Sequence, residues 1–498
     1  RIDYLSGYVS VSMARNSSFF PGWNRLLFGR PPISSIEKCS RQRNELDQLC
    51  LAQLTALFGS FLPARLLDFK TSSGLNSRRR VYTPMVTFWA FLGQVLAPGS
   101  SCRKAVSNVQ VLFVARQLDP PSCDTKSYCS ARRRLPVRLL LQVHAYVIGR
   151  LQAGVQGTGP RTLVVDGSTA SMPDTPENQK KYPQHTQKPG CGFPIMKLVG
   201  LFCLESGAWI ATAKCHMKIH ETRLFQRLFR HLREGDTLLA DRAYCSYWNI
   251  AKLSAKGVDF VMRNHQKRIV DFRRGKRLGK RDHCIEWSKP KQRPSGMSKE
   301  EYDAYPDYLV VRETQLKAPQ RKGYRTGAIV IVSSFITPEE KTIDELGDFF
   351  LRRWKIELYF GDIKTSQAMD VFRTKSPDLI CRELLMHMIA YNLTRAVAQQ
   401  STASSVTPTI DCERVSFKGT ADRIAAWSWS IWAAPSVKKA RELGDQLRAT
   451  IAEDLVPERP GRREPRAKKR RPKPYQLLNR PRHEMNEIPH RNNYRASA

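Results

Sequence analysis

Phe350 to Lys364 reads F-L-R-R-W-K-I-E-L-Y-F-G-D-I-K. As a helix, it carries Glu357 with Arg353 four residues before it and Lys364 seven after. At about 100° per residue, Phe350, Arg353, Glu357 and Lys364 fall within roughly 60° on one face. A carboxylate between two cations can bind a metal while its neighbours hold phosphates. Taken alone, the same pattern is an ordinary solvated face of i,i+4 ion pairs. The choice between the two depends on whether the chain brings further carboxylates to this helix.

The composition sets the frame. The chain has 498 residues, enough for two to four domains and a large core. It has 82 Lys and Arg against 45 Asp and Glu, a net charge of +37. That excess predicts a polyanionic partner, most simply nucleic acid. Apolar residues at 41% and aromatics at 9% predict folded domains rather than a disordered chain. The twelve cysteines include no Cys-x-x-Cys pair, and Cys215, His216 and His220 lack a second ligand pair at finger spacing. Scattered thiols suit a reducing cytosol. The longest apolar run, Val86 to Ala97, is too short to span a bilayer and reads as a core helix capped by Thr83, with Pro84 in its first turn. The chain begins at Arg1, and Met13 is read as a candidate start.

Upstream of Glu357 two patterns alternate. Leu51 to Leu67 and Val81 to Leu96 carry helical periodicity, and Ser127 to Gly149 a further helix with the basic cluster Arg132, Arg133 and Arg134, suited to phosphate contact. From Thr162 the pattern turns to strands: Thr162 to Val165, ending at Asp166, then Ile195 to Leu204 and Trp209 to Cys215. A helix at His220 to Leu232 precedes a strand at Thr237 to Ala240, ending at Asp241. A helix at Ser246 to Ala255, closed by Gly257, precedes a strand at Val258 to Arg263. Three strands, helix, strand, helix, strand is the order of the ribonuclease H-like fold, in which strands one and four are neighbours. Asp166 and Asp241 are then expected side by side at strand ends. Residues 266–293 hold eleven Lys and Arg against three acids and, with strands at Tyr308 to Thr314 and Ala328 to Ser333, read as a mostly β insertion with a basic surface. Thr337-Pro-Glu-Glu340 is a helix-start signal for the segment that carries Glu357. Residues 459–482 form a proline-interrupted basic tail, expected to be disordered until it meets nucleic acid.

Two Asp and one Glu so placed make a three-carboxylate cage. Hard divalent cations want such oxygen ligands. Two ions about 4 Å apart can activate a water or a 3′ hydroxyl and stabilise the leaving oxygen. Phosphoryl transfer needs positioning and charge stabilisation more than covalent help, which suits cations beside the Glu. No glycine-rich nucleotide loop is read, and no ATP requirement is implied. Asp174, Glu177, Asp236 and Asp362 are read as structural.

V-V-D-G-S around Asp166, L-L-A-D-R-A-Y around Asp241 and R-W-K-I-E-L-Y-F-G-D-I-K around Glu357 together resemble the motifs of DDE transposases of bacterial insertion sequences. The match is to the insertion sequence four family with its Tyr-Arg-Glu-Lys signature, over roughly residues 50–480. The resemblance implies a Mg²⁺- or Mn²⁺-dependent ribonuclease H-like core with two ions held by Asp166, Asp241 and Glu357. It implies phosphate contacts from Arg353 and Lys364, with Phe350 at the signature tyrosine position and Trp354 beside Arg353. It also implies excision and strand transfer of element ends into target DNA by a homodimer in a synaptic complex, in a bacterial cytoplasm at the nucleoid and away from membranes. The competing readings are a ribonuclease H-like nuclease or resolvase that cuts without joining, and a catalytically decayed DNA-binding relative.

The expected fold class is α/β, a mixed-sheet ribonuclease H-like core with a β-rich insertion, a helical N-terminal domain and a helical to disordered basic C-terminal region. The expected layout is a partly disordered extension (1–50), a helical DNA-binding domain (51–155) and the first part of the core (156–265). The basic insertion (266–336), the helical part of the core carrying Glu357 (337–405), a C-terminal helical region (406–455) and a basic tail (456–498) follow.

Overall fold

The computed structural model describes residues 35–67, 81–97, 99–115, 117–155, 159–183, 193–294, 297–317, 328–403, 412–458 and 484–485. Residues 459–482, read as a basic tail, lie outside them.

The chain opens with α1 (Ser35–Phe58), α2 (Pro84–Leu96), α3 (Cys102–Val114), α4 (Lys126–Arg134) and α5 (Val137–Ala153). Thr83 caps α2 as the sequence predicts, its Oγ1 accepting from the Val86 N–H at 3.1 Å. Helix α1 starts sixteen residues earlier than Leu51, inside the stretch expected as an extension. The single helix expected over Ser127 to Gly149 is two. Pro136 lacks an N–H and disfavours a helical Leu135, so α4 ends at Arg134 and α5 starts after the proline.

The strands follow in the expected order: β1 (Thr162–Ser171), β2 (Ile195–Cys203), β3 (Trp209–His216), β4 (Thr237–Ala240) and β5 (Asp259–Arg263). Helix α6 (Pro176–Lys181) lies between β1 and β2, α7 (Glu221–Gln226) between β3 and β4, and α8 (Tyr247–Ala255) between β4 and β5. β1 runs antiparallel to β2 and parallel to β4, and β4 parallel to β5. β1 is longer than expected and continues to Ser171 along β2, whereas its ladder with β4 stops at Val165↔Ala240.

The insertion contributes β6 (Lys276–Gly279), β7 (Asp282–Ser288), α9 (Lys299–Asp303), β8 (Tyr308–Lys317) and β9 (Ala328–Ser333). β9 pairs with β5, so these strands extend the same sheet, whose order is β3-β2-β1-β4-β5-β9-β8-β7-β6. Two of them, β6 and β7, lie in the basic stretch where no strand was expected.

Beyond the sheet come α10 (Ile343–Leu351), α11 (Lys355–Gly361), α12 (Pro377–Ala403), α13 (Phe417–Trp432) and α14 (Val437–Ala452). Helix α12 is buried all round, as expected of a helix with apolar residues on every face. It packs against α2 and α5 from the N-terminal part and α13 and α14 from the C-terminal part. It also covers the end of β3: Asn392 Oδ1 accepts from the Trp209 N–H at 2.8 Å and its amide donates to the Trp209 carbonyl at 3.1 Å.

Candidate active site

The site begins at the register Val165↔Ala240. The next residue on each parallel strand is an aspartate, Asp166 and Asp241, so the two residues follow side by side where the β1–β4 ladder leaves off. Asp166 is opposite Gly200 on β2. A Cβ on Gly200 would come within 2.8 Å of the Phe202 ring and 3.1 Å of the Phe360 ring. The missing side chain therefore lets α11 settle on the sheet directly across from Asp166. Phe202 also packs at a tilt against Tyr359 of α11, with 5.4 Å between ring centroids.

Burial pushes the Asp166 carboxyl above the ordinary carboxylate value. The Gly167 N–H, which donates to Asp166 Oδ1 at 2.7 Å, and Arg353 pull it down, while Asp241 and Glu221 add like charge. Arg353 Nη1 lies 3.9 Å from Asp166 Oδ2. Its side chain is 7% exposed, and its Nε has no hydrogen-bond partner among the described residues. A buried guanidinium with a spare donor beside a half-buried carboxylate is a ready partner for an anionic oxygen.

The segment from Phe350 to Lys364 is not one α-helix. It runs through the end of α10, a 3₁₀ turn at Arg352–Trp354, α11, and a π turn at Asp362–Ser366. The arc calculated at 100° per residue therefore does not hold along it. Phe350 is 2% exposed in the core, its ring 5.6 Å from the Arg353 guanidinium, so it packs the arginine and does not reach a phosphate. Trp354 is 45% exposed and lies 4.9 Å from the same guanidinium. Glu357 is exposed, and Lys364 is half-buried in the π turn. Among the described residues no three His, Cys, Asp or Glu side chains converge closely enough to hold a metal ion. The two aspartates alone are a hard-oxygen donor set that fits Mg²⁺, which takes one or two carboxylates and completes its shell with water and phosphate.

The basic cluster divides. Arg133 and Arg134 are exposed at the end of α4. Arg132 is 4% exposed and turned inward, donating to Cys102 Sγ at 3.3 Å and lying 5.0 Å over the rings of Phe91 and Tyr128. It packs helices together, which corrects its reading as a phosphate contact. Two residues escaped the sequence reading. Glu221, at the first turn of α7, lies against Gly167, and Tyr244 is buried three residues after Asp241. The available signals were the first acid after β3 and the tyrosine that closes the L-L-A-D-R-A-Y motif around Asp241. Of the acids read as structural, Asp236 pairs with Arg161, Asp362 with Arg395 at 2.7 Å, and Asp174 accepts from Gln179 at 2.8 Å.

Residues 157–393 match the family model described as the transposase DDE domain, a span that contains Asp166, Asp241 and Glu357. Over 357 residues the chain is 25% identical to "Transposase InsG for insertion sequence element IS4" of Escherichia coli (strain K12), covering 69% of this chain and 76% of that protein. Over residues 157–393 the chain is similar to transposase DDE domains, and over two thirds of its length to a transposase of the insertion sequence four element. The chain also aligns, at 12% identity and a TM-score of 0.38, with the cryo-EM structure of the piggyBac transposase synaptic complex with hairpin DNA, over 83% of this chain and 86% of that one. Among the described residues no helix is long and apolar enough to cross a membrane.

Proposed function

We propose that the chain is a DDE transposase that cleaves DNA at element ends and joins them to a target through Asp166, Asp241 and Glu357, with two Mg²⁺ or Mn²⁺ ions and no nucleotide hydrolysis. The observation that carries this reading is the register Val165↔Ala240, which leaves Asp166 and Asp241 adjacent at the end of a parallel pair. The order β3-β2-β1-β4-β5 supports a ribonuclease H-like core, extended at β5 by the insertion.

Asp166 and Asp241 would hold the ions, which supply Lewis acidity and an activated water or 3′ hydroxyl for in-line attack at phosphorus. Arg353, fixed by Phe350 and Trp354, presents donors to the scissile phosphate and offsets charge developing in the transition state. Glu357 lies one turn beyond Arg353 on α11, and bound DNA brings it onto the two aspartates. A 3₁₀ turn before α11 and a π turn after it flank this helix, the irregular helical geometry that often marks a functional hinge. Lys364, Arg133 and Arg134 take phosphates further along the DNA. Two copies act together in a synaptic complex, at the nucleoid of a bacterial cytoplasm.

The test is Asp241→Ala, assayed for cleavage of an element end and, in parallel, for binding to it. Cleavage should vanish while binding remains within about twofold, because the lost group holds the reaction rather than the duplex. An Asp241→Ala protein that still cuts at a comparable rate removes the reading.

A further inference from the structure

Glu221 stands against the catalytic strand from an unexpected direction. Its carboxylate atoms lie 2.8–2.9 Å from where a Gly167 Cβ would be. Successive side chains on a strand point to opposite faces, so Glu221 approaches β1 from the side opposite the Asp166 carboxylate. The β1–β4 ladder ends at Val165, so no strand lies beside Gly167 on that flank. The peptide under Glu221 also matters to the site, because the Gly167 N–H is the one that donates to Asp166 Oδ1. Helix α7 is itself held in place. The His220 ring caps its start, accepting from the Thr222 N–H at 3.3 Å, and Lys197 of β2 donates to the Ile219 carbonyl at 2.8 Å. On the remaining side is Tyr244, fully buried, with its hydroxyl directed at Glu221.

We infer that Glu221 is a positioning residue for Asp166: by seating on Gly167 from behind, it fixes the peptide that orients the carboxylate toward the divalent ion. The inference rests on the metal-dependent reading above. Three features follow from it. Residue 167 is glycine because any Cβ would displace the Glu221 carboxylate. Glu221 stays out of the ion's own ligand set. Its negative charge behind Asp166 adds to the potential that draws a cation. Outer-shell partners of metal ligands set affinity by about 10- to 100-fold.

The experiment measures Mn²⁺ alone, by the loss of the free-ion electron paramagnetic resonance signal, on the full DNA-free chain. Wild type, Asp166→Ala, Glu221→Ala and Gly167→Ala are compared, each with a thermal melt. Gly167→Ala is a gentle route to the same displacement, since the colliding atoms are the end of a flexible side chain. Asp166→Ala should lose the tight site. Glu221→Ala and Gly167→Ala should each bind Mn²⁺ about 10- to 100-fold more weakly while melting within a few degrees of wild type. If Asp166→Ala loses the ion but Glu221→Ala and Gly167→Ala bind it as wild type does, the positioning role is overturned and the metal reading stands. Wild-type affinity in Asp166→Ala overturns both. If Glu221→Ala does not fold, Gly167→Ala decides by the same criteria.

Discussion

Gly200 shows how far the site depends on a side chain that is absent. Opposite Asp166 in the ladder, it lets the Phe360 ring approach the sheet, and with it the helix bearing Glu357. The valine variant, Gly200→Val, forces Phe202 and Phe360 apart. Overpacking of this kind costs about 1–3 kcal/mol, and relief here means lifting α11. We expect Gly200→Val to melt a few degrees lower and to lose end cleavage by at least about tenfold, with end binding little changed. Melting curves and paired cleavage and binding assays read these directly, and full cleavage by a folded Gly200→Val protein would show that α11 need not seat there. In the sequence Gly200 is one glycine within an apolar strand. Only the pairing of β1 with β2 gives it a neighbour, which is why Asp166 and Asp241 were legible from strand ends and Gly200 was not.

At the scale of elements, the segment carrying Glu357 is held by a buried network in the insertion. Arg312, 0% exposed, donates through Nε and Nη2 to Asp282 at 2.8 Å each, and through Nη1 to the carbonyls of Thr337 at 3.0 Å and Lys341 at 2.6 Å. This explains a displaced helix start. Thr337 and Glu340 exchange the hydrogen bonds of a capping box, yet the carbonyls there are occupied by Arg312 and the helix begins only at Ile343, under a second box made by Thr342 and Glu345. A local signal repeated five residues apart cannot tell a turn from a helix, because the deciding partner is distant in sequence. Arg312→Met should cost about 3–5 kcal/mol, since it strands a buried Asp282 carboxylate. Chemical denaturation measures this. A loss under 1 kcal/mol would mean water reaches the pair. In the π turn after α11, burial pushes Asp362 up to about 6 against the pull of Arg395. Its folded value lies above the ordinary one near 4, so the folded state holds the proton more tightly. The wild-type chain then loses stability relative to Asp362→Asn as pH rises from about 4 to 6, by about 1–2 kcal/mol after allowance for partial exposure. Melts of both proteins across that range test the sign, and a gap that instead moves in favour of wild type would show the Arg395 pair outweighing burial.

For the whole molecule, the alternation of strands and helices made the five-strand order readable, because each element is short, local and bounded by its own caps and turns. The joining of the insertion to the same sheet was not readable, because β9 meets β5 across more than sixty residues and nothing in either strand names its partner. The consequence is a basic surface continuous with the sheet that carries Asp166: Arg273, Arg274, Lys276, Arg277, Lys280 and Arg281 are exposed along its far edge. A net charge of +37 is more than solubility needs, and phosphate contact is the partner chemistry that uses it. Each phosphate neutralised contributes about 0.9 to the slope of log K against log salt. We expect end binding, followed by fluorescence anisotropy between 50 and 400 mM salt, to fall steeply. Neutralising Arg273, Arg274, Lys276 and Arg277 together should lower the slope by about 2–4, with cleavage at saturating DNA preserved because these groups lie in or just before β6, the sixth strand from β1 in the sheet. Removing residues 459–498 should lower it separately and additively, since the two basic regions take different phosphates. If the sheet-edge variant keeps the wild-type slope while the truncated chain loses most of it, the duplex does not run along the extended sheet. The basic edge then faces something other than DNA.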